Sequence, residues 1–271
     1  MKRGSLKKAI LIAMADEHPF DEIRIEIAPL LIELYQSFGF ETFFVYGRKQ
    51  GRFIRNIRRG VEEMRWNRWY LLLRIWDKIF LRWYSYYQPF LRISGNRVDV
   101  NVPEDLRHLS VKILSALNFL HQSDFDLVVR TTASSIINPL MLEESLPKKS
   151  DFAKPLYAGR KISQADGFNF VSGCFTILNS ESMRLLRDSR RKIDFSLIDD
   201  VAFGRIFRDY KVPILDIHSV NISKLEDLDE TKDFSSMSHF RCRTGIKQRN
   251  DIEVMRKLLV LIKEDLHNRN I

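Results

Sequence analysis

Apolar runs alternate with amphipathic stretches along most of the chain, and this order predicts an α/β protein. Ala9 to Ala15 is a continuous apolar run, and Glu41 to Tyr46 is a second segment with strand character. Between them, Asp21 to Phe38 repeats apolar residues at helical spacing and ends at Gly39. A strand, a helix and a strand in this order favour parallel pairing through a right-handed crossover. We therefore expect the chain to open on a parallel sheet and not on a signal peptide or membrane anchor.

The alternation continues through the rest of the chain. We predict strands at 97–102, 125–129 and 212–216, the last clear one, and a strand pair or one long strand at 168–178. We predict helices at 109–122, 139–146, 180–188, 199–209 and 252–266. No internal repeat or low-complexity linker divides these segments. The simplest organisation is one domain over residues 1–271 with an insertion at about 48–95. Its predicted fold is an α/β sheet of mixed, mainly parallel strands flanked by helices.

The composition is typical of an ordered globular protein. The chain has 271 residues, of which 45% are hydrophobic and 11% aromatic, enough apolar material for a large core. Its two cysteines, Cys174 and Cys242, are too few for a disulfide framework or a zinc cluster, so we expect buried thiols in a reducing compartment. This predicts a cytoplasmic protein, with a peripheral position on the inner face of a membrane left open.

The net charge of +9 comes from one segment. Residues 48–92 carry 12 Lys and Arg against 3 Asp and Glu, and the rest of the chain is balanced. The same segment holds all four tryptophans, Trp66, Trp69, Trp76 and Trp83. At helical spacing, positions 69, 76 and 83 share one face and the cations centre on the opposite face. The pattern predicts an amphipathic cationic helix at about 61–87.

Three interpretations of this helix stay open. Its uncharged runs are shorter than ten residues, so it cannot span a bilayer, but it could lie among the headgroups of an anionic membrane. Alternatively, it packs its tryptophans on the protein and only solvates its arginines. Basic and aromatic residues together also suit nucleic acid. Confinement of the excess charge to one helix argues against a nucleic-acid-binding protein.

A polar segment follows the apolar run Phe125 to Val129. The nine residues from Arg130 to Asn138 read Arg-Thr-Thr-Ala-Ser-Ser-Ile-Ile-Asn, and we predict a polar turn here. Because ligands of α/β sheets bind at the carboxyl ends of strands, this turn is a candidate binding loop. Alternatively, Thr132, Ser134 and Ser135 only turn the chain and cap the helix that follows.

Four segments in a fixed order are similar to a known enzyme family. They are Leu109-Ser110-Val111-Lys112-Ile113-Leu114, Phe125-Asp126-Leu127-Val128-Val129-Arg130-Thr131, Phe170-Val171-Ser172-Gly173 and Leu197-Ile198-Asp199-Asp200-Val201-Ala202-Phe203-Gly204. Over roughly residues 97–216, the chain thereby resembles the beta-1,3-glycosyltransferase superfamily, the galactosyltransferase and Fringe-like enzymes of GT-A fold. The resemblance implies a GT-A glycosyltransferase that uses a nucleotide-sugar donor.

The chain departs from this family at the metal site. The family's three consecutive aspartates fall on Thr132, Ala133 and Ser134, and its preceding base falls on Arg130. Mn²⁺ and Mg²⁺ prefer carboxylate oxygens, whose charge hydroxyls do not replace. Either no metal is used, or other acids hold it, or the chain has lost activity. We assign no metal ligands and place Arg130, Thr132, Ser134 and Ser135 in the donor site.

Two adjacent acids, Asp199 and Asp200, begin a predicted helix, where the helix dipole favours negative charge. Inverting sugar transfer needs a general base that removes the proton from the acceptor hydroxyl. By the resemblance Asp200, directly before Val201, is this base. We name the adjacent Asp199 as a second catalytic candidate. Alternatively, the pair is a helix cap with a first-turn acid.

The remaining candidate residues would contact the diphosphate, the ribose and the acceptor. Without a metal, cations must stabilise the departing diphosphate, and arginine suits phosphate. Arg241 and Arg243, in a basic stretch predicted to be a loop after the last strand, are the candidates; a solvated charge run is the alternative. Asp16 could bind the donor's ribose or simply end its strand. Ser172 and Gly173 are expected to lie beside the acceptor.

The leading hypothesis is an inverting glycosyltransferase. It would move a sugar from a nucleotide donor, first of all a UDP-sugar, to a hydroxyl of a glycan or lipid-linked acceptor in polysaccharide synthesis. A catalytically inactive transferase-like binding module is the main alternative, favoured by the lost aspartates and disfavoured by the retained Asp199 and Asp200.

Overall fold

The computed structural model describes residues 6–16, 20–49, 75, 78–147, 152–230, 236–243 and 251–269. The strands of these residues are β1 (Lys8–Ala13), β2 (Phe40–Arg48), β3 (Leu91–Ser94), β4 (Arg97–Pro103), β5 (Leu127–Thr132), β6 (Ser135–Ile137), β7 (Tyr157–Ser163), β8 (Asn169–Asn179), β9 (Ile214–Asp216), β10 (Ser219–Ile222) and β11 (His239–Cys242). The helices are α1 (Phe20–Glu26), α2 (Ala28–Ser37), α3 (Leu109–Gln122), α4 (Pro139–Ser145), α5 (Ser180–Asp188), α6 (Asp199–Asp209), α7 (Glu226–Glu230) and α8 (Asp251–Asn268). Short 3₁₀ helices lie at Leu106–His108 and Arg190–Lys192.

The main sheet is mixed and mainly parallel, which confirms the predicted fold class. Within the described residues it has eight strands in the order β3-β4-β2-β1-β5-β8-β7-β9. β4, β2, β1 and β5 run parallel to one another, and so do β7 and β9. β3 pairs antiparallel with β4, and β8 pairs antiparallel with both of its neighbours. The predicted parallel pairing of the first two strands is therefore confirmed.

Helices cover both faces of this sheet, and β1 shows why. Its side chains alternate between two buried clusters, with Ile10 and Ile12 on one face and Ala9 and Leu11 on the other. The first face packs against α1, α2 and α8, and the second against α3, α5 and α6. A central parallel strand buried on both faces reads as a continuous apolar run, which is the pattern of this segment.

A second, smaller sheet lies beyond the end of β5. Its described strands are in the order β10-β11-β6, with β11 parallel to β10 and antiparallel to β6. The nine-residue polar turn predicted at 130–138 is therefore wrong. β5 continues to Thr132, only Ala133 and Ser134 turn, and β6 follows at once. The expectation that 212–216 is the last strand is also wrong, because β10 and β11 follow it and place Arg241 on a strand.

Other differences have local causes. The helix predicted over 21–38 is divided at Ile27 into α1 and α2, with Pro29 in the first turn of α2. Proline has no N–H for a helical hydrogen bond and favours a first turn, so a new helix starts there. The apolar pattern does not predict β7, because Gly159, Arg160 and Lys161 interrupt it. It also misses β3, β10 and β11, each of which has four residues.

Most of the predicted insertion at 48–95, and most of its helix at 61–87, falls outside the described residues. The described part includes helical residues 78–83, a turn at 84–86 and the strand β3. Leu81 and Tyr84 are buried in the same core as α3, whereas Trp83 is 65% exposed. Among the helices of the described residues, we find none with the length and apolar character needed to cross a membrane.

A buried histidine joins the two sheets. The ring of His239 on β11 stacks on Phe175 of β8 with centroids 4.5 Å apart, and its Nδ1 lies 2.7 Å from Oγ of Ser219. Burial, together with the smaller effect of the charges of Arg160 and Arg241, lowers the pKa of His239 to about 3. The folded protein therefore keeps this ring neutral.

This predicts a stability that falls in acid. The unfolded chain binds a proton on this histidine near pH 6.5 and the folded chain only near pH 3, so acid favours unfolding between these values. The contribution of His239 is at most about 1.4 kcal/mol per pH unit. Urea titrations from pH 7 to 3.5 should give a flatter loss of unfolding free energy for His239→Gln, while the same change at exposed His267 leaves the slope as in the wild type. Parallel profiles for His239→Gln and the wild type would contradict a neutral His239.

Candidate functional site

The carboxyl ends of β1, β2 and β5 meet at one edge of the main sheet. The backbone N–H of Ala133, just after β5, donates to the carbonyl of Ala13 at the end of β1. Nζ of Lys112 on α3 reaches this edge and donates to the carbonyl of Met14 at 3.0 Å and to Oε1 of Glu104 at 2.5 Å. Glu104 also accepts from the N–H of Gly47, near the end of β2. The buried lysine thus fastens the loops that leave β1, β2 and β4.

β8 carries a wide bulge at the same edge. Between the register pairs Gly159–Thr176 and Lys161–Val171, β7 advances two residues while β8 advances five. The extra backbone groups find side-chain partners: Oγ1 of Thr131 donates to the carbonyl of Cys174, and Oγ1 of Thr176 to that of Ser172. Bulges of this kind redirect a strand and the side chains next to it.

Two glycines make the bulge possible. Gly159 has φ +132°, and a Cβ there would meet the carbonyl oxygen of Phe175 at 2.1 Å. A Cβ on Gly173 would meet Nη1 of Arg130 at 2.6 Å, so the bulge lies directly against the arginine side chain. Gly204, the last residue of the fourth segment that resembles the enzyme family, allows α6 to approach Phe170 of β8, because a Cβ would meet that residue at 2.6 Å.

Arg130 and Asp199 form a buried ion pair. Nη2 of Arg130 lies 2.7 Å from Oδ2 of Asp199, and the side chains are 4% and 5% exposed. Burial raises the pKa of Asp199, and the charge of Arg130 opposes this shift. Nε and Nη1 of Arg130 are buried without a hydrogen-bond partner. The pair ties the start of α6 to the end of β5 and leaves neither charge open to a substrate.

Asp200 is the accessible acid of the pair. It is half-buried, its Oδ2 accepts from the N–H of Gly173 at 3.1 Å, and its Oδ1 accepts from the N–H of Val201 at 2.8 Å. It occupies the first turn of α6, where backbone N–H groups and the helix dipole stabilise a negative charge. A fixed, partly exposed carboxylate of this kind can accept a proton from a bound hydroxyl.

The polar residues predicted for the donor lie close together. Oγ1 of Thr132 is 3.0 Å from Oγ of Ser135, and Ser135 is the register partner of Arg241 in the antiparallel pair of β6 and β11. The carbonyl of Ser134 accepts from the N–H of Cys242. Arg241 is half-buried and its Nε is buried without a hydrogen-bond partner. Hydroxyls and a guanidinium thus share one stretch of the small sheet, beside the end of β5.

Sequence reasoning misses two residues next to this group. Asn221 on β10 is the other register partner of Arg241, and its Oδ1 accepts from Nη1 of Arg160 on β7 at 2.6 Å. Both arginines are near enough to His239 to lower its pKa. The alternation of β7 could have suggested an outward Arg160, but the partner strand β10 has too little pattern of its own to be predicted.

The other predicted site residues lie in different surroundings. Asp16 pairs with Nη2 of Arg97 at 2.8 Å and Nη1 of Arg24 at 3.2 Å, and its hydrogen bond with Arg97 lowers the pKa of its carboxyl group. Arg243 is exposed just after β11. Oγ of Ser172 lies 3.1 Å from Sγ of Cys174 within the bulge, so it faces the interior.

The next question is whether carboxylates could hold a metal ion near Thr132 and Ser135. In the part of the chain that the structure describes, no three His, Cys, Asp or Glu side chains are arranged to hold a metal ion. Arg241 is the register partner of Ser135, and Arg160 joins the same row through Asn221, so two cations that suit an anion lie here.

Comparisons with known proteins identify no family. No family model matches the chain, and no curated protein matches it. Among solved structures, it is similar to the galactosyltransferase LgtC in complex with donor and acceptor sugar analogues, with 10% identity, a TM-score of 0.46, and coverage of 94% of this chain and 95% of that one. It is also similar to the catalytic domain of Drosophila beta1,4-galactosyltransferase 7 (12% identity, TM-score 0.41, 93% and 80% covered) and to an inositol-1-phosphate CTP transferase from T. maritima (10%, 0.38, 94% and 97%). Because these TM-scores are all below 0.5, the solved structures carry no argument about function. The function is argued from the site and from the sequence resemblance.

Proposed function

We propose that the protein is an inverting glycosyltransferase of GT-A type, which transfers a sugar from a nucleotide-sugar donor to a hydroxyl of a glycan or lipid-linked acceptor. The observation that carries the proposal is the environment of Asp200. Its carboxylate is half-buried at a helix start and is held by Gly173, whose backbone lies against Arg130 of β5, two residues before Thr132. The sequence resemblance independently assigns the base to this residue.

In the proposed reaction, Asp200 accepts the proton of the acceptor hydroxyl while the oxygen attacks the anomeric carbon. The bond to the diphosphate breaks as the new glycosidic bond forms, so the configuration at the anomeric carbon inverts. A positioned base of this kind contributes about 10²- to 10⁴-fold to the rate. Asp199 lies in the interior with Arg130, and we assign it and Arg130 to positioning Asp200 and not to contact with substrate.

The departing diphosphate carries negative charge that the site must stabilise. Arg241 and Arg160 supply two cations, and the hydroxyls of Thr132 and Ser135 lie beside Arg241. Guanidinium groups bind phosphate oxygens through paired hydrogen bonds, each stronger than a neutral one. We assign the diphosphate to Arg241, Arg160 and the hydroxyl of Thr132, which the fully buried Ser135 holds in place, with Ser134 holding the turn and exposed Arg243 at the rim, and we propose that no metal is needed. A UDP-sugar is the first donor to test, with Asp16 toward its ribose and Gly173 toward the acceptor.

The function is tested with a panel of UDP- and GDP-sugars, scored by thermal shift with Mn²⁺ or with EDTA. We expect one donor class to raise the melting temperature equally with Mn²⁺ and with EDTA. We also expect NMR to show that the product of turnover has the inverted anomeric configuration. Stabilisation without turnover would instead identify an inactive binding module. If no nucleotide sugar changes the melting temperature, the transferase proposal fails.

Replacement of the base should separate catalysis from binding. Asp200→Asn keeps an oxygen for the Gly173 N–H but cannot take a proton, so kcat should fall by about 10²- to 10⁴-fold while the donor Kd stays within about threefold. Asp209→Asn, at the exposed far end of the same helix, is the matched control and should leave kcat unchanged. A kcat for Asp200→Asn within tenfold of the wild type would exclude Asp200 as the base.

Loss of a phosphate contact should weaken donor binding. Hydrogen bonds to charged groups contribute about 1.5–3 kcal/mol, so Arg241→Ala and Arg160→Ala should each raise the donor Kd by about tenfold to 150-fold. Arg205→Ala, an exposed arginine of α6, serves as control. Isothermal titration with the free nucleoside diphosphate and with the nucleoside alone separates the affinity for the diphosphate from the affinity for the nucleoside. Only diphosphate binding should weaken, and an equal affinity of Arg241→Ala and wild type for the diphosphate would contradict the assignment.

A further inference from the structure

A group of large apolar side chains is exposed on one side of the molecule. Each is between 43% and 70% exposed. The group, named here the aromatic patch, consists of Ile79, Phe80, Trp83, Tyr86, Tyr87, Phe90 and Ile93. It spans helical residues 78–83, the turn after them and β3. Exposed apolar groups of this size commonly mark an interaction surface.

The aromatic patch is held in place by buried neighbours. Leu81 and Tyr84 pack into the core, and Arg190 donates from Nε to the carbonyl of Tyr84 at 2.7 Å and from Nη2 to that of Tyr87 at 2.8 Å. β3 is paired along its length with β4. The exposed rings are therefore presented by an ordered scaffold, which lowers the entropy lost when they bind a surface.

The segment that carries the aromatic patch is cationic, and two acids lie beside it: Asp99, which pairs with Arg97, and Asp105, which bonds to the ring of His108. From Lys78 to Val98 the chain contains no Asp or Glu, and Lys78, Arg82 and Arg92 are exposed. Arg191 adds a further cation, with its guanidinium 5.7 Å from the ring of Tyr86. A surface that is apolar and cationic at once is complementary to an anionic partner with an apolar interior.

We propose that the aromatic patch docks on the surface of an anionic lipid bilayer. Trp and Tyr favour the boundary between headgroups and acyl chains, Ile and Phe enter the acyl region, and Lys and Arg pair with lipid phosphates. A nucleic acid would use the cations and could stack on the rings, but it offers no environment for Ile79 and Ile93. The composite surface differs from the single helix face predicted at 61–87, because β3 and the turn contribute to it.

The position of the aromatic patch gives this docking a consequence. The rings of Phe80 and Tyr84 lie 6.4 and 6.1 Å from the ring of His108, which directly precedes α3, and the carbonyl of Phe90 accepts from the N–H of Asn101 near the end of β4. The patch therefore flanks the carboxyl edge that holds the candidate site. Docking would turn this edge toward the membrane surface, where a lipid-linked acceptor would lie. The docking itself does not depend on the proposed transferase function.

Vesicle flotation tests the inference with the full chain. We expect binding to vesicles of phosphatidylcholine with 30% phosphatidylglycerol, loss of binding to pure phosphatidylcholine, and weaker binding as NaCl rises from 0.05 to 0.5 M. Trp83→Ser combined with Phe90→Ser should lower the partition coefficient at least tenfold. Both positions are exposed, and an unchanged circular dichroism spectrum and melting temperature would confirm that the variant folds.

Matched controls come from the other face of the sheet. Ile25→Ser combined with Val260→Ser removes two exposed apolar side chains from α1 and α8, and this variant should bind vesicles like the wild type. Equal vesicle binding by the Trp83/Phe90 variant and the wild type, or no binding by the wild type, would overturn the inference. Two further results would also overturn the inference. One is a dimer in light scattering, and the other is tight binding of single-stranded RNA, if the wild type shows it and the Trp83/Phe90 variant loses it.

Discussion

The buried ion pair of Arg130 and Asp199 fixes the geometry on which the candidate site depends. Moving two charges out of water costs several kcal/mol for each, and a contact of 2.7 Å between their side chains offsets that cost. Loss of either partner would leave an unpaired buried charge, at a cost of about 3–5 kcal/mol. Such a pair therefore adds little net stability to the fold. Its main effect is that it permits only one arrangement of β5 against α6. Asp200, the next residue along, takes its position from that arrangement.

The bulge of β8 completes the same arrangement from the other side. Its extra residues bring Gly173 against Arg130 and place the Gly173 N–H at 3.1 Å from Asp200. Thr131, one residue after Arg130, holds the carbonyl of Cys174. The end of β5, the bulge of β8 and the start of α6 thus hold one another in place. Together these three elements fix the position of Asp200, the acid that faces solvent. Rigid support of this kind is what a positioned base requires.

Sequence patterns predict this fold best where burial is complete. β1, α3, α5 and α6 follow from apolar runs or helical spacing, because their periodicity is set by a core on one or both faces. β10 and β11 do not, since strands of four residues with polar side chains on one face carry too short a pattern. The pairing of Ser135 with Arg241 therefore could not be derived, although both residues were predicted for the donor. The interior position of Asp199, beside a half-buried Asp200, likewise depends on tertiary contacts that adjacent acids do not reveal.

The order of strands in the small sheet has a consequence for how the protein is made. β11 is its central strand, although it is the last of the three in the chain, and it separates β10 from β6. The row of Asn221, Arg241 and Ser135 crosses all three strands, so it joins residues up to 106 positions apart in sequence. Contacts between such distant segments form late, because the loop between them must first close. During synthesis, β6 and β10 would emerge with no strand between them, and the row could not exist until β11 had inserted. A chain still on the ribosome could thus have its main sheet in place and yet lack the site proposed for the diphosphate.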